Sequence, residues 1–176
     1  IILGGIEASL RRFAHYDWWD DTVRRSILFD ARADIIVFGM GERQILEIAE
    51  KIKQGKELKD IRGTAYITNA KEDGALEIPS FEDVKTDKDK FNEAFSLIYK
   101  NQDPFKDTKL IQGHGNRFVL QCPPILPLEE HELDAIYELP YTKKPHPSYK
   151  LKGGIPGFET VRFSIISHRG CCGECS

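Results

Sequence analysis

The sequence predicts an α/β fold, and three observations carry that prediction. Two short apolar runs end in glycine: Ile1-Ile2-Leu3 meets Gly4-Gly5, and Asp34-Ile35-Ile36-Val37-Phe38 meets Gly39. An amphipathic segment follows the second run at once. Further strand-like and helix-like segments then follow along the chain.

Ile1-Ile2-Leu3 reads as a buried strand leaving through a tight turn. Residues 7–13 suit a short helix. Residues 13–20 are aromatic and acidic and suit irregular chain. Residues 34–38 give the second strand. Gly39-Met40-Gly41-Glu42 leads into a helix whose apolar positions Ile45, Ile48, Ala49 and Ile52 recur at helical spacing. Gly55 is its expected C-cap. Residues 64–68 alternate as a strand. Residues 83–90 form a charged, solvated stretch, and a helix is expected over 87–100. Arg117 to Gln121 is a strand stopped by Pro123-Pro124. A helix is expected over 128–139, with Leu133 and Ile136 facing inward.

These segments make residues 1–139 one α/β domain. Residues 140–159 are rich in proline and glycine and read as a connector. Residues 160–167 give a last strand, with Val161, Phe163 and Ile165 alternating. The thiols follow at its C-terminal end.

A chain of 176 residues holds one domain plus part of another. A net charge of −3 argues against a nucleic-acid-binding surface, which usually needs a basic patch, so no nucleic-acid partner is expected. No apolar run approaches the roughly 20 residues of a membrane span. Ile1-Ile2-Leu3 has no basic flank of the kind that precedes a signal sequence. The chain begins without Met and stops just after a group of thiols, so both ends are expected to be cuts.

Of the four cysteines, Cys122 stands alone, while Cys171, Cys172 and Cys175 fall close together. Neighbouring Cys171 and Cys172 cannot staple distant segments. The pattern suits a reducing compartment, the cytoplasm, and a metal or redox role. Thiolates are soft ligands and hold iron–sulfur clusters. Three of them can hold three corners of a four-iron cube and leave the fourth iron open. A zinc site would need a second ligand pair, and Cys172 and Cys175 also have the spacing of a redox pair. Spacing alone leaves these open.

The residues carry a resemblance that spacing does not. Ser167-His168-Arg169-Gly170-Cys171-Cys172-Gly173-Glu174-Cys175-Ser176 resembles the start of the radical S-adenosylmethionine (radical SAM) motif, Cys-x3-Cys-x2-Cys. Residues 2–17, Gly39-Met40-Gly41-Glu42-Arg43, Ile61-Arg62-Gly63-Thr64, Leu139-Pro140-Tyr141 and Pro145-His146-Pro147 are similar to signatures of the YgiQ family, in family order. The resemblance implies a [4Fe–4S] cluster, with Cys171 and Cys175 as its first two ligands and the third beyond Ser176. It implies that the open iron binds S-adenosylmethionine and that reductive cleavage gives a 5′-deoxyadenosyl radical. An electron donor such as a flavodoxin or ferredoxin would then be a partner. Cys172 falls at a variable position between ligands. His168 and Arg169 precede the first ligand and are candidates for touching the cluster or S-adenosylmethionine; alternatively, Arg169 only neutralises the anionic cluster.

The resemblance also implies an architecture. Residues 1–139 would be a partial Rossmann-like domain of the cobalamin-binding kind, and residues 160–176 the start of a (β/α) barrel. The Asp-x-His-x-x-Gly signature of cobalamin binders is not found, so cobalamin is not expected. The 176 residues alone are expected to be inactive and to leave a sheet edge and apolar surface exposed. The competing function is an α/β binding module with a structural zinc site at the same cysteines.

Other positions have bland and functional readings. Gly39-x-Gly41-Glu42 could cradle an anion, but Glu42 would repel it, so a tight turn is preferred. His15, Tyr16, Asp17, Trp18 and Trp19 could line a pocket; a packing cluster at a domain interface is preferred. Arg11-Arg12 and Arg24-Arg25 are read as solvated or ion-paired. His114 is read as a turn histidine, and Cys122 as a buried free thiol.

Overall fold

A computed structural model of the protein describes residues 1–165. It divides into two compact units, one ending at Pro127 and the other beginning at Leu128.

The first unit carries, in chain order, β1 (Ile2–Leu3), α1 (Gly5–Leu10), β2 (His15–Asp17), β3 (Thr22–Arg24), α2 (Ile27–Asp30), β4 (Ile35–Val37) and α3 (Glu42–Lys53). There follow β5 (Thr64–Thr68), β6 (Leu76–Ile78), α4 (Phe81–Thr86), α5 (Lys88–Lys100), β7 (Leu110–His114) and β8 (Arg117–Gln121). Six strands form one mixed sheet in the order β1-β4-β5-β8-β7-β6. The outer pairs, β1 with β4 and β6 with β7, are parallel; the three inner pairings are antiparallel. The α/β class therefore holds, with an antiparallel centre inserted into the Rossmann-like pattern.

Both faces of the sheet are covered, which is why β4 reads as an unbroken apolar run. Ile36 and Phe38 join Phe13, Leu28, Leu110 and Val119 in one core. Ile35 and Val37 point the other way, against Ile48 and Ile61. Tyr66, Ile111, Leu120 and Cys122 form a third cluster. The expected exposed edge is present at β1, where Ile1 and Ile2 are open to solvent.

Helix α3 buries Gln44 and Ile48. This corrects the expected stripe, because Ile45 and Ile52 remain about half exposed. The turns that meet the sheet are those of Gln44 and Ile48, and Ile45 and Ile52 stand on the flank. Helix α5 falls where its pattern predicts, with the Asp87 carboxylate accepting from the backbone N–H of Asp89 and Lys90. The charged stretch ahead of it is itself partly helical: Ser80 and Asp83 form a reciprocal capping box that starts α4. Residues 15–24 are a hairpin and not irregular chain. Tyr16 pairs with Val23, and Asp17 pairs with Thr22 and forms a 2.8 Å ion pair with Arg24.

The second unit contains α6 (Glu130–Tyr137), a 3-10 turn over Pro147–Lys152 and α7 (Phe158–Val161). Leu133 and Ile136 are half-buried, as their spacing on α6 predicts. The strand expected from residue 160 is not formed in the described part. Phe158–Val161 is a single helical turn, and residues 162–165 pair with no strand. Local bonds replace a ladder: the Thr160 hydroxyl donates to the Gly157 carbonyl at 2.6 Å, and the Ser164 N–H donates to the Val161 carbonyl at 3.0 Å. Val161, Phe163 and Ile165 are exposed, so their alternation buries no face among the described residues.

Candidate functional site

The signature-like segments of the first unit converge at one end of the sheet, beside the end of β4. Helix α1 follows β1 directly, and the Ser9 hydroxyl donates to the Gly5 carbonyl at 2.9 Å and accepts from the Gly39 N–H at 3.3 Å. The Phe38 N–H donates to the Gly63 carbonyl at 2.9 Å, and the Gly63 N–H donates to the Pro123 carbonyl at 2.7 Å. Three separate stretches of sequence are thereby stitched into one corner.

Arg12 sits at the centre of that corner, only 5% exposed. Its Nε donates to Gln121 Oε1 at 2.6 Å, and its Nη1 donates to the Ser9 carbonyl. The guanidinium also lies over the rings of Phe38, 4.9 Å away, and Phe13, 5.9 Å away. It makes no ion pair among the described residues. Burial pulls its pKa down to about 10. A cavity of about 140 Å³ opens beside it, lined also by Phe38, Met40, Gln121, Pro124 and Ile125.

Neighbouring strands hold this segment. In the β7–β8 register Leu110 lies opposite Gln121, and Gln112 lies opposite Val119, so both glutamines share a face with core residues. Gln112 Oε1 accepts from the Ala14 N–H at 2.7 Å, and its Nε2 donates to the Pro79 carbonyl at 2.9 Å. These are polar groups that burial would penalise if left unpaired. Arg62 ties the adjoining loops through the Pro104 and Pro124 carbonyls, at 2.7 and 3.0 Å, and through Asp107 at 2.6 Å.

The other candidates separate clearly. Arg11 pairs with Glu7 and Arg25 with Asp30 at the surface, and Arg24 pairs with the largely buried Asp17 carboxylate. Arg12 departs from that expectation: it follows the C-cap residue Arg11, just past the end of α1, and turns inward onto Phe38. A double arginine gives no sequence signal for which partner turns in. Trp18 and Trp19 pack edge to face, 5.2 Å apart, and are largely exposed. His114 ends β7 and is buried between Phe29 and Phe81. Neither ring nitrogen has a hydrogen-bond partner among the described residues. Burial, with Arg25 nearby, lowers its pKa to about 4, so the ring is neutral. Cys122 is a buried free thiol, and burial pushes its pKa up to about 11.

His168, Arg169, Cys171 and Cys175 lie outside the described residues. Among the described residues, no three His, Cys, Asp or Glu side chains are placed to hold a metal ion, and no helix is long and apolar enough to cross a membrane.

Residues 1–164 match the radical SAM N-terminal family. The whole chain is 54% identical to a UPF0313 protein of Methanocella arvoryzae, 50% identical to one of Geobacter sulfurreducens and 49% identical to one of Clostridium botulinum. It spans 30%, 30% and 28% of those relatives' lengths. No solved structure matches it. The match over residues 1–164 agrees with the likeness to YgiQ proteins: the chain belongs to the radical SAM N-terminal family.

Proposed function

We propose that this chain is the N-terminal part of a radical SAM enzyme, and that Cys171, Cys175 and a third cysteine beyond Ser176 hold a [4Fe–4S] cluster. The observation that carries the reading is the family match up to residue 164, with Cys171-x3-Cys175 following it directly. The donor set suits the group: both side chains are thiols, which as thiolates are soft ligands for iron. When bound, the cluster supplies the electron that cleaves S-adenosylmethionine to methionine and a 5′-deoxyadenosyl radical. An external donor of the flavodoxin or ferredoxin kind returns that electron.

The chain's own residues have supporting roles in this reading. Cys171 and Cys175 fix two corners of the cluster. His168 and Arg169 precede the first ligand in sequence and would contact the cluster or S-adenosylmethionine, Arg169 offsetting the anionic charge. Residues 140–159 connect the N-terminal domain to the catalytic one. The 176 residues alone are inactive, because two thiolates leave the cluster short of a ligand.

The test is anaerobic reconstitution of the full-length protein with iron and sulfide. Four irons per chain, and reductant-dependent release of 5′-deoxyadenosine, support the proposal. Stoichiometric zinc with no iron, or an iron-loaded protein that leaves S-adenosylmethionine intact, overturns it.

A further inference from the structure

We propose that the cavity beside Arg12 binds the carboxylate group of a small organic acid. The site stands on the first unit alone and does not rest on the cluster reading.

The first support is an uncompensated charge. A buried cation is retained at a cost of several kcal/mol unless an anion or a full set of acceptors meets it. Arg12 is 5% exposed, and no carboxylate among the described residues forms an ion pair with it. Two neutral acceptors, Gln121 Oε1 and the Ser9 carbonyl, engage Nε and Nη1. That leaves Nη2 for a ligand. The faces of Phe13 and Phe38 offset part of the charge and leave the in-plane donors free.

The second support is space. About 140 Å³ lies open beside Arg12, which lines it. Nucleotide sites lie in the larger range of roughly 300–1,000 Å³ typical of ligand pockets; this cavity suits only a few heavy atoms.

The third support is the chemistry of the walls. Phe38, Met40, Pro124 and Ile125 are apolar, while Gln102 and Gln121 bring amides. One cation among apolar walls suits one negative charge on a short hydrocarbon body. An inorganic phosphate dianion would meet a single cation and would bury its remaining oxygens against carbon. A carboxylate needs no more than the planar fork that arginine offers.

Propionate is the probe, with inorganic phosphate and chloride as controls at equal ionic strength. Binding to the full-length protein is read by calorimetry and by saturation-transfer NMR on the propionate methyl group. Propionate is expected to bind saturably, and phosphate at least about tenfold more weakly. Arg12→Gln removes propionate binding. Ile125→Phe leaves Arg12 and its hydrogen bonds in place but fills the cavity, and lowers propionate affinity by at least about tenfold. The second variant decides the matter should Arg12→Gln fail to fold. Absence of saturable propionate binding, equal binding of phosphate, or unchanged propionate binding in Ile125→Phe overturns the proposal.

Discussion

Arg12 and Gln121 stand 109 residues apart in sequence and meet through a 2.6 Å hydrogen bond inside the protein. The bond joins the segment after α1 to the end of β8. It is the charge-assisted kind, roughly twice as strong as a neutral one.

Gln121→Leu keeps most of the side-chain volume and removes the acceptor. The buried Nε of Arg12 is then left unpaired, at a cost of about 2–3 kcal/mol. Urea unfolding should show the midpoint falling with an unchanged slope. A loss below about 0.5 kcal/mol would mean that water or another acceptor already serves Arg12.

How much of this was legible in the sequence depends on which residues carry the signal. Strand β4 and helix α5 could be read directly, the first from four consecutive apolar residues and the second from its period and Asp87 cap. The β7 strand could not, because Gln112, Gly113 and His114 interrupt its apolar run. Gln112 is tolerated there only because Ala14 and Pro79, distant in sequence, satisfy its amide. The alternation of Val161, Phe163 and Ile165 forms no strand within the described residues. Period-two patterning becomes a strand only when another strand accepts its backbone, and none does among the described residues. Of the candidate site, Arg12 was hidden in a charged pair that reads as surface. The cysteines owe their reading to the flanking signatures more than to their spacing.

Gly63 gives a second prediction. Its φ of +71° lies in the left-handed region, and a Cβ built there would overlap the amide nitrogen of Gln44. Gln44 is fully buried, and its amide atoms have no hydrogen-bond partner among the described residues. Gly63→Ala is expected to cost about 1–3 kcal/mol. Gln44→Ala removes the overlap but not the backbone strain. The double variant should therefore be more stable than the sum of the two single losses predicts, by about 0.5 kcal/mol or more. Strict additivity in the double-mutant cycle would show that strain alone accounts for Gly63.

His114 makes stability depend on pH in a defined direction. Its folded pKa is about 4, below the ordinary value of 6.5. Well above pH 6.5 the ring is neutral in both states and contributes no slope. As pH falls from 6.5 towards 4, the unfolded chain takes up a proton that the folded chain refuses, so stability is lost across that window. Full development of the shift corresponds to about 3 kcal/mol. His15 has its pKa lowered too, chiefly by burial, and adds to the slope in the same direction. The group on His114 is isolated by comparing slopes: chemical denaturation between pH 4 and 7 should give a shallower pH dependence for His114→Leu than for the parent. The faces of Phe29 and Phe81 and the charge of Arg25 are what hold the proton off. Identical slopes in the two proteins would show that His114 is protonated in place or relocates at low pH.

The three clustered cysteines should behave differently from one another. In the proposed reading Cys171 and Cys175 are ligands, and Cys172 occupies a variable position between them. A cube with three protein ligands has no corner for a fourth if its open iron is to bind S-adenosylmethionine. Single alanine variants of the full-length protein, reconstituted with iron and sulfide without air, separate the roles. Cys171→Ala and Cys175→Ala should each lose most of the bound iron and all reductive cleavage of S-adenosylmethionine. Cys172→Ala should keep both near the parent level. Cys122→Ala provides the matching control, since its buried thiol is held protonated far from reactive pH. If Cys172→Ala loses the iron while Cys171→Ala keeps it, the ligand register is Cys172 and Cys175, and the assignment by family motif is wrong.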